Sequence, residues 1–138
     1  LVIEFRAKKV TDGKWVYGNL EVNSENSYIS RPDAVLGDEI VLDSVGQWTG
    51  LYDCDKNRIY VGDIVECVSW NEYFSKDGKP MEQFRRKMYI AFVNGGFKMV
   101  EPMPHGMKPN VWDIIFNGDV KIIGNMVDNP EEILLREE

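Results

Sequence analysis

The chain of 138 residues has a single histidine, His105, and only two cysteines, Cys54 and Cys67. One imidazole excludes metal sites built on two His ligands, and two distant thiols can form neither a zinc ribbon nor a redox Cys-x-x-Cys pair. No apolar run approaches the roughly 18 residues that a membrane helix needs, and no signal-peptide h-region opens the sequence, so a cytoplasmic location is expected. Gly-x-Gly-x-x-Gly and Gly-Lys-Ser/Thr patterns are missing, which leaves phosphate cradling unsupported, and no Gly-x-Ser-x-Gly elbow presents a nucleophile. Positive charge is scarce: 16 Lys and Arg stand against 23 Asp and Glu, a formal net of −7. Such a balance disfavours general attraction to phosphate backbones or anionic lipid.

What is present is an apolar fraction of 43%, enough at this length to fill a core without disulfide or metal staples. One domain spanning 1–138 is expected, with neither linker nor low-complexity run. Ile3 to Lys8 alternates apolar and charged residues with period two, the pattern of a half-buried strand. Asp12-Gly13 then marks a tight turn into a returning strand from Trp15 to Leu20. Shorter strand candidates are Tyr28-Ile29, Glu39–Leu42 and Val45–Leu51. The richest strand signals, Ile64–Trp70 and Met88–Val93, bracket a polar hairpin loop from Asn71 to Gln83. Asn94-Gly95-Gly96 and Asn117-Gly118-Asp119 read as two further hairpin turns, and Val120 to Val127 as the last strand. Asn129 as N-cap, Pro130 at the first helical position and Glu132 three residues after the cap predict a short C-terminal helix. Many short strands without a βαβ rhythm predict a small antiparallel barrel or roll.

Candidate chemistry is thin. Asp53-x-Asp55-x-Asn57 opens like a calcium loop, but Arg58 stands at the sixth position and Ile64 at the twelfth, so a solvated turn is the better reading. Three Gly-Asp junctions, at 37–38, 62–63 and 118–119, read as turns that open strands. For an enzyme, Asp53, Asp55, Asp63 and His105 are the only residues to nominate. Cys67 reads as a small core residue within a strand. No cofactor or metal is expected.

Aromatics and charge polarity carry more. Trp15, Tyr17, Tyr28, Trp48, Tyr60, Trp70, Tyr73 and Trp112 lie on or beside predicted strands, and a β protein of this size needs several of them for its core. Lys76 to Lys87 sums to +3 and Asp119 to Glu138 to −4. Trp70 and Tyr73 beside Arg85, Arg86 and Lys87 form the one candidate platform for a single-stranded nucleic acid.

The motifs themselves resemble a known family. Phe5-Arg6-Ala7-Lys8, followed by Asp12-Gly13-Lys14-Trp15-Val16-Tyr17-Gly18, resembles the opening of YopX-type proteins, encoded mainly by bacterial phages and prophages. Gly46, Trp48, Thr49, Gly50 and Leu51, then Tyr60, Gly62 and Asp63, are similar to that family's central block. Gly124, Asn125, Asn129 and Pro130 match its closing segment, while the stretch of about 71–84 looks like a variable loop. The resemblance implies a mostly β protein with an SH3-like barrel and no assigned catalytic residues. Its best-matched residues are turn, cap and core types, which mark a fold. The expected function is a non-enzymatic accessory protein of phage or prophage origin, binding a host or phage protein through an exposed edge strand or aromatic groove, or a second copy of itself. Single-stranded nucleic-acid binding through Trp70, Tyr73 and 85–87 is the alternative, and an acidic decoy of a host DNA-binding protein a further one.

Overall fold

The computed structural model describes residues 2–71, 82–114 and 120–133, with the backbone alone at 68–71 and 82–84. The chain divides into two compact units, Leu1–Leu51 with Arg58–Val61 and Tyr52–Asn57 with Gly62–Glu138.

The first unit is built on strands β1 (Phe5–Lys8), β2 (Trp15–Val22), β3 (Ser27–Ser30), β4 (Asp38–Glu39), β5 (Gly46–Tyr52) and β6 (Arg58–Tyr60), in the order β4-β3-β2-β1-β5-β6. The predicted opening hairpin is present, with Phe5 opposite Gly18 and Lys8 opposite Trp15. Its turn is closed by Lys9 N–H donating to Lys14 O at 2.9 Å and Gly13 N–H to Lys9 O at 3.0 Å. The Lys14 N–H also donates to Asp12 Oδ1, which holds that carboxyl below its usual range. Ala7, Val16, Ile29 and Ile40 form the core, with Phe5, Leu20 and Val45 packed on it. The strand expected over Glu39–Leu42 is shorter: it stops at Glu39, and Leu42–Ser44 turns as a 3-10 segment. There Val41 N–H still reaches Lys8 O at 2.9 Å, but Ser44 Oγ donates to Val41 O and accepts the Lys8 N–H, so a side chain takes the place of the next ladder bond.

The second unit holds β7 (Asp63–Asn71), β8 (Glu82–Val93), β9 (Gly96–Glu101), β10 (Asn110–Asp113) and β11 (Val120–Asn125), all antiparallel in the order β10-β9-β8-β7-β11. The β7–β8 ladder runs from Ile64 opposite Tyr89 to Asn71 opposite Glu82, so pairing extends into the ends of the expected loop. Residues 72–81 of that loop lie outside the described residues. Asn94 (φ 50°) and Gly95 (φ 83°) supply the two left-handed residues of a tight β8–β9 hairpin. Ile64, Val65, Met88, Ile90, Met99, Val100 and Val120 are buried, as is Cys67, whose Sγ lies 3.6 Å from Met99 Sδ.

Three expectations are corrected. Neither sheet closes into a barrel among the described residues: each has two distinct edges, β4 and β6 in one, β10 and β11 in the other. β10 and β11 are not hairpin partners across Asn117-Gly118-Asp119, which lie outside the described residues; they pair with β9 and β7 on opposite edges. A turn sequence marks a reversal without saying which strand receives it. Among the described residues the expected C-terminal helix is a three-residue 3-10 turn, Pro130–Glu132, and 134–138 lie outside them. Asn129 makes no side-chain cap there, because its Oδ1 accepts instead from Asn125 N–H at 3.2 Å. No helix among the described residues is long and apolar enough to cross a membrane.

Candidate functional site

The opening and central motif blocks meet in the first unit. Arg6, 8% exposed, has its guanidinium carbon 4.7 Å from the Trp15 ring and 4.8 Å from that of Tyr60. Lys8 Nζ lies 4.7 Å from the Trp15 ring, and the Tyr17 and Tyr60 rings tilt together at 5.7 Å. The period-two reading places Arg6 at the surface; aromatic faces from β2 and β6 bury it instead, because a weakly hydrated guanidinium stacks on rings at small desolvation cost. Tyr60 Oη donates to Glu4 Oε2, which also pairs with Arg58. Burial first, then this bond to Glu4, pushes the Tyr60 phenol well above its ordinary range. Arg58 in turn covers the Trp48 ring at 4.3 Å, and Trp48 Nε1 donates to Leu51 O. Thr49 Oγ1 donates to Ile59 O at 2.8 Å, and Gly46 approaches so close to Val61 O that a Cβ there would sit 2.1 Å away. The result is a chain of alternating cations, rings and one carboxylate that locks β1, β2, β5 and β6 together.

The rest of the motif residues meet in the second unit. Asn125 pairs with Asp63 and Gly124 with Ile64 across the β11–β7 ladder. Met126 N–H donates to Gly62 O, and Asn129 N–H to Asn125 O, each at 2.8 Å. Asn125 Oδ1 accepts from Val127 and Asp128 N–H groups, which closes the turn that leads to Pro130. Asp63 is 1% exposed, in the core beneath this turn.

The candidate binding row lies on β8. Arg85 pairs with Glu66 at 2.9 Å, Arg86 with Glu101 at 3.4 Å, and Lys87 with Glu132 at 2.9 Å. The bond to Glu132 holds the Lys87 ammonium above its usual range. Arg86 also faces the Trp112 ring at 5.8 Å, and Asn110 Nδ2 donates to Glu101 Oε1. The backbone register sets Trp70 opposite Gln83, two positions along β8 from Arg85. Tyr73 lies outside the described residues. A groove of about 300 Å³ opens between the row 85–87, Glu101 and Pro102 on one side and Glu132 and Ile133 on the other.

The residues nominated for an enzyme do not converge. Asp53 is buried, with Oδ1 accepting from Asp55 and Asn57 N–H groups and Oδ2 from Ile122 N–H. His105 is exposed in the loop between β9 and β10, and Asp55 and Cys54 are exposed in the turn after β5. Among the described residues no group of three or more His, Cys, Asp and Glu side chains could hold a metal ion. Sequence reading missed Glu4, Arg58, Glu101 and Trp112 as members of these clusters. Glu4 and Arg58 are 54 positions apart, so no local pattern could have joined them.

The comparisons with known proteins bear on fold and family. A crystal structure described as protein EF1440 from Enterococcus faecalis matches with a TM-score of 0.56 and 19% identity, over 97% of this chain and 99% of that one. At that identity the match speaks for the fold. No curated protein matches the chain. The sequence profile described as YopX protein matches residues 4–134, a span that contains both motif clusters, and by that match this chain belongs to the YopX family.

Proposed function

We propose that the chain, as a whole, is a non-enzymatic protein-binding module that takes up a partner strand along β10. In line with the family resemblance, we place it as an accessory protein of phage or prophage origin in the cytoplasm of a bacterial host. The observation that carries the binding mode is the open edge of the second sheet. β10 pairs with β9 alone among the described strands, and Val111 and Trp112 are 50% and 42% exposed. Successive strand residues point to opposite faces, so an added strand meets a large apolar side chain on each face while the backbone supplies the hydrogen bonds. The same edge serves self-association if the partner is a second copy.

The pairing of Arg85, Arg86 and Lys87 with carboxylates supports a protein partner over a single-stranded nucleic acid, because a phosphate would first have to displace those acids. The test is a photo-crosslinking residue at position 112 in host cells, compared with one on β3. Crosslinked partners specific to position 112 and lost on Val111→Lys are expected. Products only from β3 would overturn the edge reading, and salt-dependent single-strand binding lost on Arg85→Ala would transfer the function to nucleic acid.

A further inference from the structure

We propose that the groove beside β8 docks an acidic-aliphatic peptide segment of a partner protein, and that the chain's own C-terminal turn is the internal competitor for it. This goes beyond strand addition at β10 and does not depend on it.

Charge states what the groove takes. The sheet sets two carboxylates, Glu66 and Glu101, against three cations, Arg85, Arg86 and Lys87. The third carboxylate comes from outside the sheet: Glu132 of the Pro130–Glu132 turn, on Lys87. Without that turn, among the described side chains, two sheet carboxylates face three cations, with Glu66 shared between Arg85 and Lys87, so the row favours an occupant that brings an acid. The groove also favours an aliphatic group, because the residue after Glu132 is Ile133, which is 8% exposed and lines the groove with Pro102. The acid-then-aliphatic order seen in cis is therefore the template for a ligand in trans, and the remaining 300 Å³ is at the lower end of volumes that hold specific ligands.

The internal occupant is lightly held. Its turn has one i→i+3 bond at 3.0 Å from Glu132 N–H to Asn129 O and a longer one at 3.3 Å from Ile133 N–H to Pro130 O. No side chain caps it, and the Lys87–Glu132 pair is 46% and 40% exposed, a setting in which ion pairs contribute little. A partner segment that repeats the acid and the aliphatic group replaces the burial that Ile133 gives up, and contacts it adds along the groove then favour the exchange, which gates the site.

The test is fluorescence anisotropy of a labelled peptide Asn-Pro-Glu-Glu-Ile-Leu-Leu, a copy of residues 129–135, titrated into the full-length protein. The double variant Glu132→Gln, Ile133→Ser is expected to bind it at least tenfold more tightly than the unmodified protein. Should circular dichroism show that variant unfolded, Glu132→Gln alone carries the test with a gain of at least threefold. Lys87→Glu should abolish binding, and a peptide with Lys for its second Glu should restore it. Equal affinity for loosened and unmodified protein would overturn the internal competition, and affinity indifferent to Lys87→Glu would overturn the site. Peptide binding that survives Val111→Lys, a change on β10 that alters none of the groove's lining residues, separates this site from the β10 edge, whichever of the two fails.

Discussion

Tyr60 donates its phenolic hydrogen to Glu4 across 2.9 Å, joining β6 to the residue that precedes β1, 56 positions away. The phenol is 4% exposed, so the bond is made largely away from water, where a charged acceptor strengthens it. Ionising Tyr60 would break the bond and set two negative charges against each other.

A pH dependence follows with a definite sign. The folded-state pKa of Tyr60 lies above its ordinary value of 10.0, so the native state binds this proton more tightly than the unfolded chain does. Its contribution is complete below about pH 10 and is lost as pH rises from there through the folded-state value. Urea midpoints measured from pH 8 to pH 11 are predicted to fall more steeply for the unmodified protein than for Tyr60→Phe. Parallel slopes would remove Tyr60 from the alkaline dependence.

Arg6 is predicted to be the cation whose loss costs the first unit most. It is 8% exposed with its guanidinium 4.7 and 4.8 Å from two rings, whereas the Arg58 side chain is 41% exposed. A desolvated cation–π contact contributes about 1–2 kcal/mol, so Arg6→Ala should destabilise by about 2–4 kcal/mol when the lost packing of the stem is included. Arg6→Lys should recover only part, because an ammonium cannot stack flat on two rings. Chemical denaturation of both variants checks this; a cost below about 1 kcal/mol for the Ala variant would make the stack incidental.

Local chemistry was legible in the sequence wherever the physics is local. The Asp12-Gly13 and Asn94-Gly95 turns, the strand alternation and the buried Cys67 all follow from residues within a few positions of each other. Partner choice was not legible. The barrel expectation failed because strand count and turn density do not say whether edges meet, and the β10–β11 hairpin failed because a turn dipeptide does not name the receiving strand. The helix expectation failed at one atom: Asn129 Oδ1, the predicted cap, is taken by the Asn125 N–H. Arg85, Arg86 and Lys87 stood out as a basic run, yet their carboxylate partners lie on β7, β9 and the C-terminal turn, 15 to 45 positions away.

Two glycines of one motif are predicted to respond differently to alanine. At Gly46 a Cβ would lie 2.1 Å from the backbone oxygen of Val61, and neither main chain can give way without breaking the Val61 N–H to Gln47 O bond. Overpacking of this kind costs about 3 kcal/mol or more. At Gly50 nothing lies within 4 Å, and the cost is that of a left-handed φ of 86°, about 1–2 kcal/mol. Urea midpoints of Gly46→Ala and Gly50→Ala should rank in that order, and the reverse ranking would show that the close approach at Gly46 relaxes freely.

Asp53, the residue an enzyme reading would nominate first, is predicted to act through backbone hydrogens. Its two oxygens accept from Asp55, Asn57 and Ile122 N–H groups at 3.0, 2.8 and 3.1 Å, so one carboxylate closes a turn and fastens β11 to it. Asp53→Ala leaves three amides without an acceptor in a partly buried site and should cost about 1–3 kcal/mol or somewhat more. Asp53→Asn is the sharper probe. An amide keeps one oxygen for Asp55 and Asn57 but turns an NH2 toward Ile122 N–H, donor against donor. Hydrogen exchange should therefore accelerate at Ile122 in both variants and at Asn57 only in Asp53→Ala. Unchanged exchange at Ile122 in Asp53→Asn would mean that the carboxylate is not what holds β11, and would return Asp53 to the list of groups free for chemistry.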